Sequence, residues 1–299
     1  MADWNEMLSA ISAAGQVYDN FRVNLINSLA ELTSRNVIVY YSGWLQKPNL
    51  AGIADFSIAD QDMTGFMTCC SGINKEKGLD IVLHTPGGDV GATEAIIKYL
   101  RGMFGTDIRA IVPQMAMSGG TQIALAANEI VMGKHSSLGP VDPQIGGRPA
   151  QGYIEEFQQI WDEIQENPNK VALWRPILEK IPPTHLTTCK HAIEWSNEML
   201  EANLASGMFS KEQNADQLIG KVREIFGNQK NSHNHARHIG IEEASASGLR
   251  IVPLESKQDL QDRVLSLHHL LSLTFQQTSS TKIIASSNGK AFVLHHNPT

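Results

Sequence analysis

The chain runs to 299 residues with 42% hydrophobic and 18% charged side chains, 24 glycines and 12 prolines, a balance that excludes disordered, collagenous and coiled-coil classes. Its 24 basic against 31 acidic side chains leave a formal charge of −7, so no general attraction to nucleic acid or anionic membrane is expected. Three cysteines, Cys69, Cys70 and Cys189, give neither a CxxC pair nor a bridge framework, which fits a reducing compartment and a cytoplasmic location.

In chain order, Met7, Ile11, Val17, Phe21, Leu25, Ile26 and Leu29 recur at helical spacing and predict one or two amphipathic helices over 1–35. Early acids at Asp3 and Glu6 and polar residues throughout set this segment apart from a signal peptide. No window approaches eighteen uncharged apolar residues, so no membrane span is expected. The β-branched and aromatic run from Asn36 to Tyr41 predicts a first strand, and Ile58 to Cys70 a helix opened by Asp60 and Asp62. From Leu79 the pattern is regular: strands over 79–84, 108–113 and 129–132 alternate with helices over 92–104 and 118–127. Short connections between them predict βαβ crossovers, hence an α/β fold with a mainly parallel sheet. Chemistry is then expected in the loops that follow strand C-termini. A helical insert at about 150–227, broken at Ile181-Pro182-Pro183, is followed by a polar loop over 228–235, a short helix over 241–248 and a strand over 249–253. The body, 36–254, reads as one domain; the tail, 255–299, carries a helix over 258–274 and a hairpin over 282–294. The Asn288-Gly289 pair signals a type I′ turn.

Two glycine-bearing loops follow two of these strands: His84-Thr85-Pro86-Gly87-Gly88 and Ala116-Met117-Ser118-Gly119-Gly120-Thr121. Glycine at strand-to-helix turns leaves backbone N–H groups unpaired and lets a ligand approach closely. Ser118, at a helix start, is suited to a nucleophile whose attack creates an oxyanion, and the N–H groups of Gly88 and Gly119 can form a two-donor hole for it. Each loop has a plainer reading as well, Ser118 as a helix cap and Pro86-Gly87-Gly88 as a turn. Neither is a phosphate loop: no GK[ST] follows, and Gly87 to Gly91 lacks the GxGxxG spacing.

Taken together, HTPGG, AMSGGT and LGPVDPQ, in that order within residues 83–147, resemble the serine dehydrogenase proteinase family. That family is a soluble relative of signal peptide peptidase A and the Clp protease proteolytic subunit. A weaker similarity continues over His235 to Leu249, with His238 where the family has proline. The resemblance covers 36–147 and 233–254. It implies a ClpP/crotonase-like fold, peptide-bond hydrolysis without metal or organic cofactor, a peptide or protein substrate and a homo-oligomer. It also implies a triad of Ser118, Asp142 and His235, with Gly88 and Gly119 at the oxyanion hole. In the Clp subunit, the base histidine occupies the position of Asp142.

An aspartate with an ordinary pKa near 4 is a poor base for a serine hydroxyl, so the triad needs His235 on Ser118 and Asp142 orienting the imidazole. The alternative base is a lysine of depressed pKa, with Lys134, Lys170 and Lys190 as candidates. His233, His235 and His238 crowd one loop, yet no cysteine or HExxH helix accompanies them to favour a metal. His84 is expected to be a structural hydrogen-bonding residue, and Met115 and Met117 to fill packing gaps or line the substrate pocket. Two rival functions keep the fold: a crotonase-like acyl-CoA enzyme, which also uses paired backbone donors, and a non-catalytic assembly module.

Overall fold

The computed structural model describes residues 4–13, 18–227 and 236–296. Helices α1 (Trp4–Ala13) and α2 (Tyr18–Thr33) lead into β1 (Asn36–Ser42), after which α3 (Asp62–Cys70), β2 (Leu79–His84), α4 (Val90–Phe104), β3 (Ile108–Val112), β4 (Met115–Ala116), α5 (Gly119–Leu125) and β5 (Glu129–Met132) follow. Short strands β6 (Ser137–Leu138), β7 (Gln144–Ile145) and β8 (Arg148–Pro149) precede the helical insert of α6 (Ala150–Glu166), α7 (Val171–Leu178), α8 (His185–Ser206) and α9 (Ala215–Val222). The chain closes with β9 (Ile239–Gly240), α10 (Ile241–Ala246), β10 (Ile251–Pro253), α11 (Gln258–Gln277), β11 (Ser280–Ser286) and β12 (Ala291–His295).

The expected α/β architecture is present as a seven-stranded sheet in the order β10-β5-β3-β2-β1-β11-β12. Its first five strands are parallel, and β11 runs antiparallel to β1 with Lys282 opposite Ser42. The tail hairpin is thus built into the main sheet. Strand side chains alternate: Ile38, Tyr40, Ile81 and Leu83 face the core under α4, α5 and α8. Val37, Val39, Val82 and Ile111 face the core under α2 and α11. Because both faces are covered, the parallel strands read as continuous apolar runs. At the amino end of β2 the fully buried Asp80 is held by Arg35 at 2.7 Å and Arg109 at 2.6 Å, which leaves the carboxyl end of the sheet as the place where loops open.

Two local expectations are corrected. Residues 58–61 do not begin a helix: Ile58 bridges in parallel to Gly88, and α3 starts at Asp62. Asp62 stands in the first turn of α3 as expected, with its carboxylate buried and bonded to Tyr40 within the core. The hairpin is not type I′ either, because only Gly289 has a positive φ, at 81°. Ser286 N–H donates to the Lys290 carbonyl at 2.9 Å and Gly289 N–H to that of Ser286 at 3.1 Å, the pattern of a type I turn closed by a left-handed glycine. Asn288 is not among the residues of positive φ, and its amide donates to Cys69 O and Ser71 O on α3 and the turn after it. The polar loop expected at 228–235 lies outside the described residues. Among the described residues no helix is long and apolar enough to cross a membrane.

Candidate active site

Both glycine-bearing loops leave the carboxyl edge of the sheet, one from β2 into α4 and one from β3 through β4 into α5. Backbone bonds zip them side by side: Thr85 N–H donates to Met115 O at 3.2 Å and Met117 N–H to Thr85 O at 3.0 Å. On the other flank Ile58 N–H donates to Gly87 O at 2.7 Å and Asp89 N–H to Ile58 O at 2.9 Å. Gly88 is thereby pressed so close that a Cβ would stand 2.2 Å from the Ile58 nitrogen. Gly87 combines a φ of 92° with a would-be Cβ 2.6 Å from Ser118 Cβ. Only glycine fits either position.

Ser118 sits at the N-cap position of α5 but makes no capping hydrogen bond. Its backbone, at φ 49° and ψ −114°, occupies a region that L-residues avoid at a cost of about 1–3 kcal/mol. The helix-cap reading of its hydroxyl is therefore excluded. A Cβ placed on Gly119 would lie 3.5 Å from Gly88 N, and one on Gly87 would lie 3.0 Å from Gly119 N, so the two amide nitrogens converge beside Ser118. Among the described residues neither N–H donates to a backbone carbonyl.

These groups open onto a cleft of about 310 Å³, with Ser57, Gly88 and Ser118 on one side and Pro143, Ser196 and Met199 facing them. The far wall is anchored to α5 by a buried relay: Gln122 Nε2 donates to both Ser196 O and Ser196 Oγ at 3.2 Å, and Ser196 Oγ donates to Val141 O at 2.7 Å. The relay escaped sequence reading, although Gln122 stands one helical turn after Ser118.

Asp142 is buried between two cleft-lining residues, Val141 and Pro143, and accepts from Gln144 Nε2 at 3.0 Å. His235 and His233 lie outside the described residues, while the exposed His238 has Nδ1 2.8 Å from Ser137 Oγ. None of the three candidate lysines lines the cleft. Lys134 and Lys190 are exposed, and Lys170 pairs with Glu163 at 3.5 Å. Among the described residues the fully buried lysine is another, Lys282 on β11, whose Nζ meets Asp62 Oδ1 at 2.9 Å and Ser57 O at 2.6 Å. Its sequence signal is a lone charge in the run Thr281-Lys282-Ile283-Ile284.

The expected hydrogen-bonding role of His84 is met only weakly, by the Met115 backbone. His84 is fully buried on the α11 side of the sheet, and neither ring nitrogen finds a hydrogen-bond partner of good geometry among the described residues. Its ring packs on Trp44 at 4.4 Å, His268 at 5.2 Å and Tyr41 at 5.3 Å between centroids. Burial, reinforced by the neighbouring His268, pushes the His84 pKa well below the usual histidine range, and burial beside His269 and His135 lowers that of His268 to about 3. Neither Met115 nor Met117 lines the cleft; Met117 instead packs on Gly139.

Residues 47–173 match the family described as ClpP-like SDH-type serine proteinase. The resemblance carried by the motifs of residues 83–147 is thereby shown for this segment, which holds Gly88, Ser118, Gly119 and Asp142; His235 and Lys282 lie beyond it. Two uncharacterized proteins of Methanocaldococcus jannaschii are also similar. One is 33% identical over 159 residues, 52% of this chain and 55% of that protein. The other is 42% identical over 88 residues, 29% of this chain and 30% of that protein. The chain thus spans about half the length of the first relative and under a third of the second.

Proposed function

We propose, from the match of residues 47–173 to ClpP-like SDH-type serine proteinases, that this chain is a serine peptidase with Ser118 as nucleophile and Gly88 and Gly119 as oxyanion donors. The observation that carries the reading is the strained, uncapped Ser118 beside two converging N–H groups that no backbone carbonyl uses among the described residues. Attack of Ser118 Oγ on a peptide carbonyl carbon makes the C–O bond while its proton passes to the base, and the carbonyl oxygen becomes an anion facing the two donors. The base returns the proton to the leaving amine as the C–N bond breaks. Water, deprotonated by the same base, then splits the acyl-enzyme and restores the hydroxyl.

His235 is assigned as the base and Asp142 as its orienting carboxylate, with a lysine as the rival base. Support for Asp142 is its burial in the 141–143 segment that walls the cleft. The substrate is a peptide or unfolded protein, cut in the cytoplasm by a homo-oligomer; light scattering that finds a single-chain mass contradicts the last point.

The test is hydrolysis of a fluorogenic peptide library and a p-nitrophenyl ester by the wild type and by Ser118→Ala, Asp142→Ala, His235→Ala, Lys134→Ala, Lys170→Ala and Lys190→Ala. Ser118→Ala and His235→Ala are expected to lower kcat by about a thousandfold or more, and the lysine variants to leave it near the wild-type value. Full hydrolysis by Ser118→Ala overturns the reading, and loss in a lysine variant with His235→Ala active moves the base to that lysine.

A further inference from the structure

Behind the cleft lies a buried ionic group that the proposed chemistry does not use. Lys282, on β11, is fully enclosed and donates to Asp62 Oδ1 at 2.9 Å, Asp62 Oδ2 at 3.1 Å and Ser57 O at 2.6 Å. Asp62, also fully enclosed, accepts from Tyr40 Oη–H at 2.7 Å and from Ala59 N–H at 3.1 Å. One step along, Ser42 Oγ–H donates to Phe56 O at 2.6 Å. Burial, then the Asp62 charge, raises the Tyr40 pKa well above its usual value, which keeps that phenol a donor.

A buried Lys–Asp pair is a weak source of stability, since desolvation offsets most of its attraction. What distinguishes this one is where its bonds go. Phe56 O, Ser57 O and Ala59 N are all gripped from the β1, β11 and α3 side, so the backbone of 56–59 is fixed on both sides of Ile58. Ile58 in turn holds Gly87 O and Asp89 N, with Gly88 between them at contact distance. The chain of contacts from Lys282 to Gly88 passes through the segment 56–59, in which Ile58 makes an isolated parallel bridge to Gly88.

We infer that Lys282, Asp62 and Tyr40 form a positioning group that sets the direction of the Gly88 N–H through the 56–59 segment, and so the competence of the oxyanion site. This rests on the serine peptidase reading. Lys282 is a positioning residue, since its ammonium is committed to Asp62 and the Ser57 carbonyl. Donors in such a site act only when held within a narrow geometry, so a Gly88 N–H freed to swing loses transition-state stabilisation while ground-state binding is largely retained.

The test compares wild type, the charge-neutral pair Lys282→Met with Asp62→Asn, and Tyr40→Phe, on a p-nitrophenyl ester and in inhibition by a peptide boronate, which mimics the tetrahedral oxyanion. Thermal unfolding of each variant serves as the folding control. For the folded neutral pair, kcat is expected to fall about ten- to a hundredfold, somewhat below the loss from deleting an oxyanion donor outright. KM should stay within about threefold, and boronate affinity should fall by the same factor as kcat/KM. Should the pair fail to fold, Tyr40→Phe decides, with a smaller fall in kcat and boronate affinity expected at unchanged KM. Unchanged kcat and boronate affinity in a folded variant overturns the inference while the peptidase reading stands. A wild type that neither hydrolyses the ester nor binds the boronate removes both.

Discussion

Ser118 carries the most informative single number, a φ of 49° on a residue with a Cβ. Strain held at one side chain and not relieved by a capping bond is retained for its geometry rather than for stability. Ser118→Gly and Ser118→Ala both delete the hydroxyl, but only glycine relaxes at this φ. Ser118→Gly is therefore expected to be more stable than Ser118→Ala by about 1–2 kcal/mol, against the ordinary preference for alanine. Urea denaturation of the two variants checks this, and equal midpoints contradict a strained elbow. At this scale the sequence was partly legible. Ser-Gly-Gly marked the position, while the torsion angle that separates an elbow from a cap comes from the zipped neighbouring loop. Asp62 was legible only in part: it is a first-turn acid of α3 as expected, but its partner Lys282 stands 220 residues away and no local pattern reports such a pair.

At the scale of elements, the strands over 79–84 and 129–132 were legible to the residue because parallel strands covered on both faces are uninterrupted apolar runs. What joins them was not. The amino ends of β1, β2 and β3 are tied by the fully buried Asp80, shared between Arg35 and Arg109. Removing Asp80 takes the buried carboxylate from both guanidinium groups, leaving Arg35 with Asp107 at 2.7 Å and Arg109 with Glu129 at 3.7 Å, so Asp80→Ala is expected to lose about 3 kcal/mol. Chemical denaturation measures it, and a loss under 1 kcal/mol contradicts a clamp at this edge. The helical insert was readable in outline from its amphipathic spacing. Its role as the far wall of the cleft depends on Gln122 and Ser196, 74 residues apart, which meet only in the fold.

For the whole molecule, the face opposite the cleft sets the pH response. His84, enclosed by Tyr41, Trp44 and His268, and His268, beside His269 and His135, both have pKa values lowered by burial, that of His268 to about 3. Each is neutral when folded but takes a proton when unfolded below about pH 6.5. The unfolded state then binds more protons, and stability falls with pH from about 6.5 down toward the folded value, by up to about 1.4 kcal/mol per pH unit per histidine. Thermal unfolding at pH 7.5 and pH 5 is expected to show a marked drop that His268→Phe makes shallower; identical slopes contradict the burial argument. At this scale the parallel α/β class was legible from alternating elements, whereas the addition of β11 and β12 beside β1 was not, since nothing in a hairpin names the strand it joins.

All three scales converge on whether Ser118 is activated. The most direct measurement is fluorophosphonate treatment of the purified wild type, followed by peptide mass mapping of the adduct. Expected is one adduct per chain, on the peptide that contains Ser118, absent from Ser118→Ala and weakened in the Lys282→Met with Asp62→Asn pair. An adduct on another residue, or none in any assembly state of the folded protein, contradicts Ser118 as nucleophile and with it the peptidase reading.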